Sequence, residues 1–256
     1  MISDLFIRNS KYGWIPDLPD QRDFKYSLLA KSFVSLPTKI DLRKNCSSIE
    51  DQGALGSCTA QALVGNLEFL KIQKSQKTFD FSRLFLYYNE RLIRKTVNTD
   101  SGASIRDGIK SLAKAGDCRE DLWPYVTEKF RMKPNIKAYA NALNYQILSY
   151  YRISSVSEMK HTLSLGLPFV FGFAVYESFE STQVTQTGQV PLPLPTERMI
   201  GGHAVMAVGY DDLKKQFIIR NSWGKHWGEA GYGYMPYAYL ANTSLSSDFW
   251  TIRDME

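Results

Sequence analysis

The chain has 256 residues, of which 44% are hydrophobic and 22% charged, and its net charge is +5. This length and composition are typical of a globular protein with one large or two small domains. Lys and Arg are scattered, which gives no indication of nucleic-acid binding, and no run approaches the roughly 18 apolar residues of a membrane-spanning helix. The first ten residues carry Asp4 and Arg8 and lack the apolar core of a signal peptide. A cytoplasmic location is therefore expected by default, and secretion of a trimmed chain stays open.

Residues 1–40, which we call the N-terminal strap, are rich in proline, aspartate and aromatic residues. Pro16 and Pro19 favour an extended backbone in the residues before them, which argues against a helix. Tyr12 and Trp14 indicate that the segment is anchored to a surface. Two interpretations remain open: an integral part of the fold, or a removable or inhibitory pro-segment.

Helical patterns dominate the part of the chain that follows. Apolar residues recur with helical spacing over 58–75, 82–94 and 105–115, and Gly116 ends the third segment. A fourth, shorter helix is predicted over 154–165, where His161 is interpreted as an exposed or core-edge residue rather than a ligand. These apolar stripes are interpreted as core.

The second half of the chain changes to strand patterns. Buried antiparallel strands are predicted over 168–176, 204–210, 216–221, 231–235 and 248–252, with a turn-rich loop over 181–195. The sequence therefore predicts an α+β fold with a mainly helical lobe (41–135) and a mainly β, barrel-like lobe (136–256). A cleft between such lobes is a natural place for a site.

Three cysteines do not form a disulfide framework in a chain of this length. Cys46, Cys58 and Cys118 also lack the CxxC pairing of a zinc site, so neither a metal nor another cofactor is expected. Cys46 and Cys118 could form one bridge or stay reduced.

Cys58 ends a polar, glycine-rich loop at the start of the first predicted helix. The unpaired N–H groups and positive dipole end of a helix favour a thiolate, so a lowered pKa is expected for this thiol. Gln52 lies six residues upstream, where its amide can point at the group that the sulfur attacks.

A base and an orienting partner occur in the β half. His203 follows Gly201 and Gly202 at the start of a buried strand, and Asn221 ends the next strand. If the two strands pair, the Asn221 carboxamide can accept the imidazole N–H while Trp223 shields that bond. Together these residues predict a thiolate–imidazolium pair that attacks a carbonyl carbon. The Gln52 amide and the Cys58 backbone N–H would stabilise the oxyanion.

The order Gln52, Cys58, His203, Asn221 resembles that of the papain-like cysteine peptidases (clan CA, family C1). His203 follows Cys58 by 145 residues, within the usual interval of about 130–150. The block from Asn221 to Gly224, followed by Trp227 and Gly228, is highly specific. The resemblance spans about residues 38–252 and implies a papain-like two-lobed fold and hydrolysis of peptide bonds through a thioester.

Some positions depart from the family's common pattern. Leu55 replaces the first cysteine and Thr59 the tryptophan of Cys-Gly-Ser-Cys-Trp, so the usual disulfide cannot form. This combination resembles the prokaryotic-type branch. Gly202 stands where Asp or Asn often precedes the histidine, and no long helical propeptide is present.

The resemblance also implies substrate contacts. Ser101 and Gly102 match the loop that pairs with the backbone of the second residue before the scissile bond (P2). Small residues surround the corresponding side-chain pocket, which predicts a roomy pocket for bulky apolar side chains. The expected substrate-contact residues are Ala103, Ser104, Gly172, Gly201, Gly202, Ala204 and Trp223.

The expected partner is a peptide or protein substrate, without nucleic acid or membrane insertion, and the chain is expected to be a monomer. Two rival functions use the same residues differently. One is an acyltransferase or transglutaminase-like enzyme, although no amine-acceptor site is evident. The other is a binding module without activity, which would not need the complete set of reactive residues.

Overall fold

The computed structural model describes residues 12–28, 35–75 and 80–256. Within them the helices are α1 (Cys58–Ser75), α2 (Arg83–Ile93), α3 (Ile105–Ala115), α4 (Ile136–Ala142), α5 (Val156–Ser164), α6 (Thr182–Thr187) and α7 (Tyr237–Ala241). The strands are β1 (Lys39–Asp41), β2 (Ile147–Arg152), β3 (Phe169–Tyr176), β4 (Met199–Asp211), β5 (Gln216–Arg220), β6 (Tyr232–Pro236) and β7 (Ser246–Met255). The four predicted helices and five predicted strands are all present.

Local capping explains where the helices of the first half begin and end. The hydroxyls of Ser82 and Ser104 accept hydrogen bonds from the backbone N–H groups of Phe85 and Asp107, which otherwise lack a helical partner. Gly116 ends α3 with a φ of 69°, a left-handed conformation that glycine adopts at little cost.

All strands belong to one antiparallel sheet with the order β2-β7-β3-β4-β5-β6, and β1 also pairs with β4. The α+β class is thus confirmed, but the barrel-like description is wrong. In the described part of the chain β2 and β6 lie at opposite ends of the path and do not pair, so the sheet stays open.

Several short elements of the structure have no clear signal in the sequence. Both β1 and β2 lack a continuous apolar run, and β1 pairs only because β4 extends to Asp211 beside it. The loop predicted over 181–195 begins with α6, whose hydroxyl cap is Ser181. Tertiary contacts rather than local pattern stabilise such short segments.

β4 is the strand on which the two halves of the core meet. Side chains alternate along a strand, so Ala204, Met206 and Val208 join the cluster around α1, while Val205 and Ala207 join a second cluster with α5 and α7. The division into lobes at 41–135 and 136–256 remains a prediction.

Two further expectations concern covalent and membrane features. The three cysteines are free, and Cys46 and Cys118 form no bridge. Of the helices in the described ranges, none is both long and apolar enough to cross a bilayer.

A buried ion pair connects α1 to the start of α2. Glu68 is fully buried and accepts hydrogen bonds from the Arg83 guanidinium at 2.8 Å and from the backbone N–H of Phe81 at 3.0 Å. The arginine side chain is only 4% exposed. Removing the carboxylate therefore leaves a buried cation with little access to water.

We expect Glu68→Gln to lower the free energy of unfolding by about 3 kcal/mol, because one partner of a buried pair is lost. Urea denaturation monitored by circular dichroism measures the change. The matched control is Lys74→Met, which removes half of the exposed pair between Lys74 and Asp254 and should cost less than about 1 kcal/mol. Equal losses in the two variants would contradict the prediction.

Candidate active site

Cys58 is the first residue of α1, and its side chain is completely buried. Hydrogen bonds from the backbone N–H groups of Ala204, Gly13 and Thr59 act on the sulfur and favour its thiolate. Burial has the larger effect, and it raises the pKa of this thiol to about 12. The expectation of a lowered pKa is therefore wrong for this arrangement, because the helix terminus is shut off from water.

His203 lies on β4, and its Nε2 is 2.8 Å from Oδ1 of Asn221. The expected pairing of the two strands is confirmed, since β4 and β5 are antiparallel neighbours and Asn221 directly follows β5. The Asn221 oxygen also accepts the backbone N–H of Ser222, so Nε2 is the donor to it. In the neutral ring the proton then sits on Nε2 and Nδ1 keeps its lone pair.

The imidazole is enclosed by aromatic rings. Its centroid is 4.9 Å from that of Trp223 and 5.7 Å from that of Phe173. Burial lowers the pKa of His203 to about 4, although the bond to Asn221 opposes the shift. Its Nδ1 is buried without a hydrogen-bond partner among the described residues. Thiol and imidazole are both neutral in this form.

Gln52 is fully buried beside the loop that leads to Cys58. Its side chain donates to the Leu55 carbonyl at 2.8 Å and accepts the Ser222 hydroxyl at 2.7 Å. The Gln52 backbone N–H bonds the Ser222 carbonyl at 2.9 Å. These contacts fix the amide between the nucleophile loop and the segment that carries Asn221.

Residues 12–15 of the N-terminal strap run through the space between the two halves of the site. Its Gly13 carbonyl accepts the Ala103 N–H at 2.8 Å, the Ile15 N–H donates to Ala103 at 2.9 Å, and the Trp14 N–H donates to Gly202 at 3.1 Å. A Cβ on Gly13 would lie 1.9 Å from the Gly56 carbonyl oxygen, so only glycine fits here.

Trp14 occupies the pocket that the resemblance assigned to a substrate side chain. Its indole packs directly on Gly172 and Gly202, where a Cβ would approach the ring to 1.9 Å and 2.8 Å. The indole N–H donates to Asp248 at 3.1 Å. This carboxylate was not anticipated from the sequence.

The other predicted contact residues differ in what they touch. Gly102, Ala103, Gly201 and Ala204 border the path of the strap or the thiol, and a Cβ on Gly201 would meet the Tyr12 ring at 2.5 Å. Ser104 caps α3 and also hydrogen-bonds Asp17 of the strap. Ser101 instead bonds the Thr96 hydroxyl. Trp223 packs beside both His203 and the strap, with its ring centroid 4.9 Å from that of His203 and 6.1 Å from that of Tyr12.

Charged residues hold the strap after it leaves this pocket. Asp23 bonds Arg106 at 2.6 Å and Arg152 at 3.1 Å, and Asp17 lies within 3.8 Å of both guanidinium groups. Arg152 also bonds Asp248 at 2.8 Å. The strap is therefore pinned by a network that reaches the floor of the Trp14 pocket.

Each end of this part of the strap has its own anchor. The Tyr12 hydroxyl donates to Glu180, and the Tyr26 hydroxyl lies 2.8 Å from Nδ1 of His161. His161 is thus an anchoring residue at the edge of the core rather than a ligand. The sequence signal for this path was the Tyr-Gly-Trp order at 12–14, which places the least bulky residue between two large anchors.

Comparison with known proteins identifies relatives over most of the chain. The family model described as papain family cysteine protease matches residues 36–248. A peptidase C1-like protein of Acanthamoeba polyphaga mimivirus, itself described as uncharacterized, is 43% identical over 95% of this chain and 87% of its own. Cysteine proteinase 1 of Entamoeba histolytica is 29% identical over 78% of this chain, which spans 63% of that relative.

Solved structures give the same result. Xylellain, a cysteine protease from Xylella fastidiosa, is 44% identical, with a TM-score of 0.89 over 97% of this chain and 98% of its own. This match to a bacterial enzyme agrees with the expected prokaryotic-type branch. The proform of the ragweed pollen cysteine protease Amb a 11 matches at 22% identity and a TM-score of 0.71, over 91% of this chain and 71% of its own, and shows the fold alone.

The strap should respond to pH through two opposing groups. Burial lowers the pKa of His203 in the docked form, where the Tyr12 ring of the strap lies 6.2 Å from the imidazole. We expect opening to expose the ring, which then takes up a proton near its ordinary pKa, so acid favours the open form. Burial and the nearby Asp248 raise the pKa of Asp17 to about 6, so the docked strap retains a proton that a free strap releases. Asp248, whose pKa burial also raises, acts in the same sense as Asp17. The effects of the histidine and the carboxylates on strap opening nearly cancel between pH 6.5 and 4.5.

We expect Asp17→Asn to expose the histidine effect, with strap opening that increases several-fold per pH unit as pH falls from 6 to 4.5, below the tenfold limit for one proton because Asp248 still opposes it. The wild type should change only a few-fold over this range. Hydrogen–deuterium exchange of residues 12–28, corrected for the intrinsic chemical rate, measures the slope. The control is Asp20→Asn, which removes an exposed carboxylate that bonds Arg22 of the same segment. Identical slopes in wild type and Asp17→Asn would contradict the assignment.

Proposed function

Because this chain belongs to the papain family of cysteine proteases, we propose that Cys58, His203, Asn221 and Gln52 are its catalytic residues. The observation that carries the proposal is the bond between His203 and Asn221, which leaves Nδ1 of the ring as a proton acceptor. The Cys58 sulfur lies against the backbone of Ala204, the residue after this histidine. Thiol and base are thus brought together from two separate elements, α1 and β4.

In the open form, His203 takes the thiol proton and the Cys58 thiolate attacks the carbonyl carbon of the scissile peptide bond. The Gln52 amide and the Cys58 backbone N–H stabilise the oxyanion. Collapse breaks the C–N bond, and the imidazolium gives its proton to the leaving amine. His203 then deprotonates a water molecule that attacks the thioester, which releases the acid and returns the sulfur, reprotonated by the imidazolium, to its resting state.

We further propose that residues 12–28 act as an inhibitory pro-segment. The Gly13 carbonyl oxygen accepts the Ala103 N–H at 2.8 Å and not the Cys58 N–H, so this peptide group is not held as a scissile bond would be. The same segment buries both reacting groups, which keeps the thiol protonated and the imidazole neutral. An integral strap would have no need to occupy the substrate path.

The pocket of Trp14 supports a substrate preference. We propose that it takes the P2 side chain once the strap leaves, and that it favours bulky apolar residues, since an indole already fits between Gly172 and Gly202. Asp248 adds an acceptor for side chains with a donor. Each member of the catalytic set comes from one chain, so we propose a monomeric protease that needs neither nucleic acid nor a cofactor.

Removing the Trp14 side chain should activate the enzyme. We expect Trp14→Ala to increase both hydrolysis of a fluorogenic peptide with Phe at P2 and labelling of Cys58 by iodoacetamide at least about tenfold, because the strap loses its largest buried anchor. The matched control is Leu18→Ala, whose side chain on the same segment is 81% exposed. A labelling rate unchanged by Trp14→Ala would contradict the inhibitory role.

In the Trp14→Ala background, Cys58→Ala should lower kcat by at least about 10³-fold, because no other group can form the thioester. Steady-state kinetics with peptides carrying Phe, Leu, Arg or Ala at P2 measure the loss and test the pocket. Product analysis with added amine separates hydrolysis from acyl transfer. Full activity without the thiol would refute the mechanism, and faster turnover with Ala or Arg than with Phe or Leu would refute the pocket assignment.

A further inference from the structure

A second concave surface lies on the helical half, between α2, α3 and α4. It is a groove with a volume of about 750 Å³, within the range of ligand-binding clefts. We call it the helical groove; its described lining residues are Asn89, Leu92, Ile93, Lys110, Ser111, Lys114, Ala115, Ile136, Tyr139, Ala140 and Leu143.

The walls of the helical groove are apolar side chains that water still reaches. Ile136 is 83% exposed and Leu143 55%, while Leu92 and Ile93 are each 46% exposed. Scattered exposed leucines are ordinary, but a contiguous concave patch of this kind marks an interaction site. Three helices border the groove, so a fourth helix could pack against all of them.

A polar group at the base of the helical groove lacks a partner. Ser111 is only 4% exposed, and its hydroxyl has no hydrogen-bond partner among the described residues. A buried hydroxyl without a hydrogen bond lowers stability, so a ligand that reaches the Ser111 hydroxyl would form a favourable hydrogen bond with it. By contrast, the Tyr139 hydroxyl donates to Asn89 at 2.9 Å and forms a fixed wall.

The rim of the helical groove is positively charged. Lys110 and Lys114 are exposed on successive turns of α3, and none of the described lining residues is acidic. Residues four positions apart on a helix lie on the same face, so the two ammonium groups border one side of the groove. This arrangement complements a segment with carboxylates beside an apolar stripe.

The helical groove adjoins the catalytic cleft through α3. The helix starts after Ser104, next to the Ala103 that pairs with the strap, and Lys110 to Ala115 follow about 9 to 17 Å further along its axis. Lys110 also borders the smaller pocket formed by Asp23 and Phe24 of the strap. A chain that leaves the cleft can cover this distance with roughly three to five extended residues.

We propose that the helical groove is a docking site for an amphipathic helix of the protein substrate, with acidic residues beside its apolar stripe. The proposal rests on the peptidase function proposed above. The apolar stripe packs on Leu92, Ile136 and Leu143, and the carboxylates pair with the two lysines of α3. Docking beside the cleft raises the local concentration of the scissile segment.

Binding is tested with the full chain carrying Cys58→Ala, so that the probe is not cleaved. The acidic probe is a fluorescent 18-residue helix with leucines at i, i+3, i+4 and i+7 flanked by glutamates, and the basic probe replaces each glutamate by lysine. Fluorescence anisotropy should give a Kd at least tenfold lower for the acidic probe. Lys110→Glu with Lys114→Glu should reverse the preference.

The matched pair of groove variants is Ile136→Asp and Leu213→Asp, since Leu213 is 92% exposed in the turn between β4 and β5, outside the helical groove. Only the first should weaken the acidic probe, by at least tenfold. Equal binding of both probes, or equal effects of the two variants, would overturn the proposal. Binding of dodecanoate without binding of either helix would assign the groove to a free amphiphile. Dimerisation abolished by Ile136→Asp, again without helix binding, would assign it to a second copy.

Turnover tests whether docking serves catalysis. In the Trp14→Ala background, the acidic helix joined by a Gly-Ser linker to a cleavable peptide should raise kcat/KM at least fivefold over the basic version. Ile136→Asp should remove this difference and leave the short peptide unaffected. An equal kcat/KM for both versions would refute the substrate role. If the short peptide itself is not cleaved, the catalytic proposal fails, while the binding measurement still judges the groove.

Discussion

The contact between the Gly13 N–H and the Cys58 sulfur constrains the rest of the structure. The strap must come close enough to exclude water, and only a residue without a side chain can pass the Gly56 carbonyl at this point. Exclusion of water then determines the protonation of the site, because a thiolate and an imidazolium both need solvation or each other. A neutral thiol and a neutral imidazole are the result. The proposed inhibitory role of the strap therefore has two parts: it covers the reacting groups, and it keeps them in an unreactive protonation state.

The strap imitates a substrate in its contacts without offering a bond to cleave. Trp14 occupies the predicted side-chain pocket. The backbone groups around it form hydrogen bonds with Ala103 on one wall and with Gly202 on the other. The strap is held in place by burial of the Trp14 indole and by the bonds of its Asp23 to Arg106 and Arg152. Because these charges lie beyond the cleft, the strength of the proposed inhibition can change without any change in the proposed catalytic residues.

β4 makes this arrangement possible. Its alternating side chains serve two cores, so the backbone at Ala204 reaches α1 while His203 turns toward the aromatic cluster of β3 and Trp223. The strand is buried on both faces, which explains why its sequence is continuously apolar from Ala204 to Val208. α3 has a comparable double role, because its start supports the cleft and its later turns form the helical groove.

Much of this protein follows from the sequence itself. Helical spacing predicts α1 to α3, with serine caps at the starts of α2 and α3 and Gly116 at the end of α3. The order of Gln52, Cys58, His203 and Asn221 already predicts a thiol-dependent site. Those features depend on local hydrogen bonds and periodic burial, which a sequence displays directly. Tertiary structure alone decided the state of that site, because desolvation depends on what covers a residue. The open sheet, the Asp248 acceptor and the course of the strap likewise arise from contacts between residues far apart in the chain. The raised pKa of Cys58, where the helix start alone indicated a lowered one, is the clearest case: a local dipole is outweighed by burial that a distant segment provides.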